Sequence, residues 1–174
     1  MISNSSPLII LAKLDLLKEL KKLYPSIQIT KTIFEECIEE GLAKEKKDAF
    51  LLNALYQGGV IKVIDLNKKQ SELAERIAKD YHLDQGESEV LAFAVSIRAK
   101  TILMDEALGR SAALLLGIKP SGTLRVLLDY YKRNLISEQI LKNKVEELIG
   151  VNFRLDAEVL ARFWKLFEMM KKRL

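Results

Sequence analysis

Three carboxylates and one amide carry the chemistry that this sequence can offer. "TILMD" leads a short run of strand character straight into Asp105, and a helical pattern starts immediately after it. "LDQGESEVLAFA" puts Glu87 in the first turn of a helix, in line with Val90, Leu91 and Ala94. That apolar stripe faces the core, so Glu87 points inward. "KTIFEECIEEG" sets Glu36 on the side of Ile33, Cys37 and Glu40, again the inward side of a first turn. Asn4 closes the opening stub "MISN", which reads as a first strand cut short by the start of the chain. A carboxylate buried at a helix start is costly unless a cation or hydrogen-bond donors meet it. Oxygen donors gathered in one place suit a hard cation, Mg²⁺ or Mn²⁺.

Each of these residues has a plainer reading. Asp105 is a good helix N-cap. Asp84 and Glu87 stand at capping-box spacing, and so do Thr32 and Glu35, which leaves Glu36 over. Glu36 is then either a site acid or one of an exposed acidic run with Glu39 and Glu40. Ser6 as N-cap with Pro7 at the first helical position would account for the opening turn, but it leaves Asn4 and Ser5 without a role. Glu89 lies off the Glu87 stripe and reads as solvated. The single histidine, His82, reads as a surface or C-cap residue and Cys37 as a small core residue, so no Ser-His-Asp or Cys-His arrangement is available.

The elements that must position these residues are short strands alternating with helices. Strand candidates are the opening stub, "SIQIT", "VIKVIDL", "TILMD" and "IKPSG". Between them run amphipathic stretches: Pro7 to about Leu23, then 31–41, 44–57, "KKQSELAERIAKDYH", "DQGESEVLAFAVSIRAK" and "EALGRSAALLLG". "TLRVLLDYYKR" and two further helical stretches, 137–149 and 156–172, follow. Alternation implies parallel pairing with right-handed crossovers. The expected fold is α/β: a three-layer α/β/α sandwich with an open parallel sheet of four to five short strands and extra C-terminal helices. In such sheets ligands gather beyond the carboxyl ends of the strands, where Asn4, Glu36, Glu87 and Asp105 are expected.

Composition narrows the class. The chain has 174 residues, 49% of them hydrophobic, enough for a real core in one domain. A net charge of +4 permits nucleic-acid contact without arguing for it. One cysteine excludes an internal disulfide and fits a reducing, cytoplasmic setting. No apolar stretch is long enough to span a bilayer, and no secretion signal is visible. "KEKK" and the C-terminal "MMKKRL" read as solvated faces. Leu160, Phe163, Trp164, Phe167 and Met170 form an apolar stripe that reads as packing, within the subunit or against a second one. Arg110, near the start of the helix after Asp105, reads as a surface residue or as a contact to a phosphate.

Four segments in order carry a family resemblance: "SNSSPLIILAKLDLLKEL" (3–20), "LDQGESEVLAFA" (83–94), "ILMDEALGRSAALLLGI" (102–118) and "PSGTLRVLL" (120–128). Together they resemble a PIN domain, from the N-terminus to about Val151, with "GVNFRL" as a possible continuation and 152–174 as a helical extension packed on the domain or on a second subunit. The resemblance implies a metal-dependent endoribonuclease using Mg²⁺ or Mn²⁺, with RNA as substrate, frequently as the toxin of a toxin–antitoxin pair and as a homodimer. It maps the catalytic and metal-binding cluster onto Asn4, Glu36, Glu87 and Asp105, with Ser6, Thr123 and Arg110 as supporting neighbours. Most PIN domains carry Asp where this chain has Asn4, which implies weaker activity. The alternative reading is therefore a catalytically weak PIN-fold module that binds nucleic acid or a protein partner.

Overall fold

A computed structural model describes every residue except Asn152, Arg154, Arg173 and Leu174. Parts of "GVNFRL" and "MMKKRL" thus lie outside the described residues. In chain order the elements are β1 (Ile2–Ser3), α1 (Ser5–Lys13), α2 (Leu17–Leu23), β2 (Ile27–Thr30) and α3 (Lys31–Phe34). A π-helical turn (Glu35–Glu39) leads into α4 (Glu40–Ala43) and α5 (Lys47–Gln57). Then come β3 (Ile61–Ile64), α6 (Lys68–Tyr81), α7 (Gln85–Ser96), β4 (Thr101–Leu103), α8 (Ala107–Leu115) and β5 (Lys119–Ser121). The chain closes with α9 (Thr123–Lys132), α10 (Glu138–Gly150) and α11 (Ala157–Lys171).

All pairings in the sheet are parallel, in the order β3-β2-β1-β4-β5. Strand β1 has only two residues yet lies at the centre, with Ile2 beside Gln28 on one side and Ile102 on the other. It holds because its backbone bonds continue past its ends: the Met1 amino group donates to Ser26 O at 2.9 Å, and Asn4 N donates to Leu103 O at 2.9 Å. Ile27, Ile29, Ile61, Ile102 and Leu103 are buried, as strands covered on both faces require. From β1 the chain steps one way to β2 and β3, then crosses back to β4 and β5. With right-handed crossovers, α1 to α5 cover one face and α6 to α8 the other. On these faces α1 packs on α5 and α6 on α7, while α3 and α7 meet beyond the carboxyl ends of the strands.

The amphipathic run from Pro7 to Leu23 is not one helix. It breaks after Leu14, where Asp15 turns left-handed (φ 56°). Asp15 N donates to Ala12 O and Leu16 N to Leu11 O, a Schellman closure. The leucines at 8, 11, 14, 17 and 20 hide this break, because all five are buried on either side of it.

The chain divides into two compact units, Met1–Thr123 and Leu124–Leu174. The sheet belongs to the first. In the second, Tyr131 packs edge-on against Phe167, at 5.0 Å between ring centroids, and Phe163 and Phe167 are buried. The expected boundary after 151 falls inside this second unit. No described helix is long and apolar enough to cross a membrane.

Candidate active site

Strand order reverses between β1 and β4, and the crevice outside their carboxyl ends is where open α/β sheets place ligands. Asn4 leaves β1 there and Asp105–Glu106 leave β4. Asn4 is buried and stands at the N-cap of α1, but its side chain makes no cap bond. Instead Nδ2 donates to Glu106 Oε2 at 3.0 Å, which fixes the amide's orientation. Its Oδ1 is the one buried side-chain oxygen or nitrogen among the described residues with no hydrogen-bond partner. The Ser6–Pro7 helix start is corrected accordingly: α1 begins at Ser5, Ser6 lies within its first turn, and Pro7 is its third residue.

Glu87 is held as its spacing suggests. Glu87 N donates to Asp84 Oδ1 at 2.8 Å and Asp84 N donates to Glu87 Oε2 at 3.3 Å, closing a capping box at the start of α7. The side chain is buried. Desolvation, then repulsion from Asp84, and beyond it from Glu106 and Glu36, pushes its carboxyl up to about 6, against the lowering effect of the Asp84 N–H. Glu87 is thus in electrostatic reach of both Glu106 and Glu36.

The helix before it starts differently from the expectation. Thr30, not Thr32, is the N-cap of α3, accepting from Ile33 N at 3.4 Å. Thr32 Oγ1 instead donates to Glu89 Oε1 at 3.0 Å, and Gln85 Nε2 donates to the same oxygen at 2.8 Å. Glu89 is therefore engaged between α3 and α7 rather than freely solvated. Glu35 pairs with Lys31 at 3.8 Å on the surface. Glu36 stands in the π-helical turn, and the Ser5 side chain beside it favours its charged form. Its carboxyl is raised, first by desolvation and then, against that Ser5 effect, by Asp84, Glu40 and Glu89. Between the two adjacent acids, Glu36 is the one facing Ser5 and α7.

Asp105 is held by Thr123. Thr123 N donates to Oδ1 at 2.7 Å and Thr123 Oγ1 to Oδ2 at 2.6 Å, so this carboxylate ties the end of β4 to Thr123, just past the end of β5. Even so, desolvation holds it up at about 6, with Glu106 raising it further and Arg110 lowering it. Arg110 Nη1 donates to Met104 O at 2.9 Å, which makes it part of this turn rather than a free surface residue. Glu106 is the acid that sequence reasoning missed, because it reads as the first residue of a helix. Its signal was there in the paired acids "DE" at a strand end: one can tie the turn, and the next then faces the crevice.

Of the expected acids, Glu36 and Glu87 lie in electrostatic reach of each other, and Asp105 lies in reach of Glu106. Among the described residues, no three of His, Cys, Asp and Glu stand close enough together to hold a metal ion as they are. In kind, the groups fit a hard cation: the raised carboxyls of Glu36 and Glu87, the Glu106 carboxylate that repels Glu87, and an orphaned amide oxygen at Asn4. A family model described as a PIN domain matches residues 1–169. No curated protein matches the chain.

Proposed function

Because this chain belongs to the PIN-domain family, whose members are in general nucleases, we propose that it is a divalent-metal-dependent endoribonuclease. The observation that carries this reading is the unpartnered Asn4 Oδ1, buried where strand order reverses and beside carboxylates that repel one another. Buried polar atoms are satisfied as a rule, and an exception asks for a missing partner. Glu36, Glu87, Glu106 and Asn4 Oδ1 would hold Mg²⁺ or Mn²⁺. A bound ion of this kind lowers the pKa of the attacking water and offsets charge on the phosphoryl oxygens.

The chain's own residues divide the remaining work. Glu87 is anchored by its capping box, so its carboxylate is presented from a rigid helix start. Ser5 steadies Glu36, and the Asn4 amide steadies Glu106. Asp105, tied by Thr123, and Arg110, tied to the Met104 carbonyl, hold the β4 end from which Glu106 projects. Asn4 contributes an oxygen without a charge. A toxin role, an antitoxin partner and a homodimer belong to the same proposal. They are tested by the gene neighbourhood and by light scattering at micromolar concentration.

The second reading, a catalytically weak module that binds nucleic acid or protein, is favoured by one observation: among the described residues, no three of His, Cys, Asp and Glu form a group that could hold a metal ion. Cleavage of structured and unstructured RNA with Mn²⁺, Mg²⁺ and chelator in parallel separates the two. Metal-dependent cleavage lost in chelator supports the enzyme. RNA retained without cleavage under every metal supports the module.

A further inference from the structure

Two glycines stand against the carboxylates of this crevice. Gly86 is the second residue of α7 and Gly109 the third of α8, and both are buried. Helices disfavour glycine relative to alanine, so propensity does not explain either. A β-carbon on Gly109 would come within 2.9 Å of Glu87 Oε1 and would overlap the Met104 sulfur. A β-carbon on Gly86 would come within 3.1 Å of Glu36 Oε1 and 2.8 Å of Ile33 Cδ1. At Gly150, the glycine that ends α10, a β-carbon would meet open space.

We infer that Gly109 and Gly86 are positioning residues of the site: the bare backbone of α8 seats the Glu87 carboxylate, and that of α7 seats Glu36. The α8 start receives Glu87 from α7, and the α7 start receives Glu36 from the π-helical turn. The same device recurs at the β4 turn, where a β-carbon on Gly122 would come within 2.7 Å of Asp105 Oδ1. Two contacts matter at each helical glycine, and they differ in kind. Met104 is flexible and the Ile33 Cδ1 atom is a side-chain end, so both can give way. Glu87 has less freedom, because its other oxygen accepts from Asp84 N. An added methyl therefore displaces the carboxylate from where its partners hold it. This inference rests on the proposed reading of the site as a cation-binding crevice.

The test is Mn²⁺ affinity of the RNA-free protein, read by the paramagnetic resonance of unbound Mn²⁺, beside melting temperature and cleavage. The variants are Gly109→Ala, Gly86→Ala with Ile33→Val, and Gly150→Ala. Ile33→Val removes the apolar overlap at Gly86 and leaves the carboxylate contact alone. We expect Gly109→Ala to fold and to bind Mn²⁺ about 10-fold more weakly, the scale of lost outer-shell support, with the Gly86 double variant weakened several-fold. The Mn²⁺ concentration for half-maximal cleavage should rise in step, and Gly150→Ala should match wild type in all three. Should Gly109→Ala not fold, the Gly86 double variant decides. Wild-type Mn²⁺ binding with unchanged binding in the folded glycine variants overturns the seating alone. Absence of Mn²⁺ binding by wild type overturns the reading of the site, and the seating with it.

Discussion

Helices α6 and α7 begin with the same motif and come to different ends. At α6, Asn67 Oδ1 accepts from Gln70 N at 3.1 Å while Asn67 N donates to Gln70 Oε1 at 2.9 Å. At α7, Asp84 and Glu87 make the same two bonds. Locally the two boxes satisfy the same orphan donors. The α6 box is built from uncharged amides on an exposed surface. The α7 box is built from acids, and its Glu87 is buried beside Glu36 and Glu106. Gln at that position would cap as well and would avoid a buried charge. A helix that accepts the cost of a carboxylate where an amide serves is therefore held to it by something other than capping. The comparison separates a cap from a site by burial and company, which spacing alone does not report.

The largest expected effect breaks this comparison at α7. Glu87→Gln keeps the box and removes the charge, turning the α7 start into the α6 kind. Metal-dependent RNA cleavage should fall by about 100-fold or more, the scale of losing a group that acts in the transition state. Melting temperature at pH 7 should hold or rise. Equal cleavage by wild type and variant would sink the site assignment. Glu106→Gln comes next, with a loss of about 10-fold or more and little change in stability, because the variant amide can still accept from Asn4.

Asp105→Ala sharpens the contrast between neighbouring acids. It strips Thr123 of two acceptors, so denaturant unfolding should show a loss of about 1–3 kcal/mol. A stability unchanged by Asp105→Ala would remove its role as the tie to Thr123.

The pH dependence distinguishes the two boxes without touching activity. Folded Glu87 titrates at about 6 against an ordinary 4.5. Between those values the folded chain holds a proton that the unfolded chain has released, so stability falls as pH rises through the window. At pH 7 the charge of Glu87 costs on the order of 2 kcal/mol in metal-free protein. In chelator, Glu87→Gln should thus be no more stable than wild type at pH 4 and more stable at pH 7.5. A gap between the two proteins that does not widen with pH would show that Glu87 is not a strained charge. Gln70→Glu on the exposed α6 box should open no comparable gap. The smallest effect is at that box itself: Asn67→Ala should cost about 1 kcal/mol, with cleavage unchanged.

Much of this architecture is legible in the sequence. Strand and helix alternation led to the parallel sheet, since short β-branched runs between amphipathic stretches pair parallel when crossovers are helical. The Asp84–Glu87 box was legible because both bonds lie within four consecutive residues. His82 as a C-cap was legible for the same reason, and it adopts the left-handed conformation that ends α6. These are local properties, set by which residues stand three or four apart.

What tertiary structure decided involves residues far apart in the chain. Asn4 meets Glu106 across 102 positions, a contact that the adjacent Ser6 and Pro7 give no sign of. Asp105 is claimed by Thr123 only because β5 lies beside β4, which leaves Glu106 to face the crevice. The π-helical turn at Glu35–Glu39 breaks the α-helical period on which the direction of Glu36 was read, so the inward side there is set by packing. Periodicity along a chain specifies which face of an element is apolar. It does not specify which polar groups from separate elements arrive at the same point, because that depends on strand order, and strand order is a property of the whole sheet.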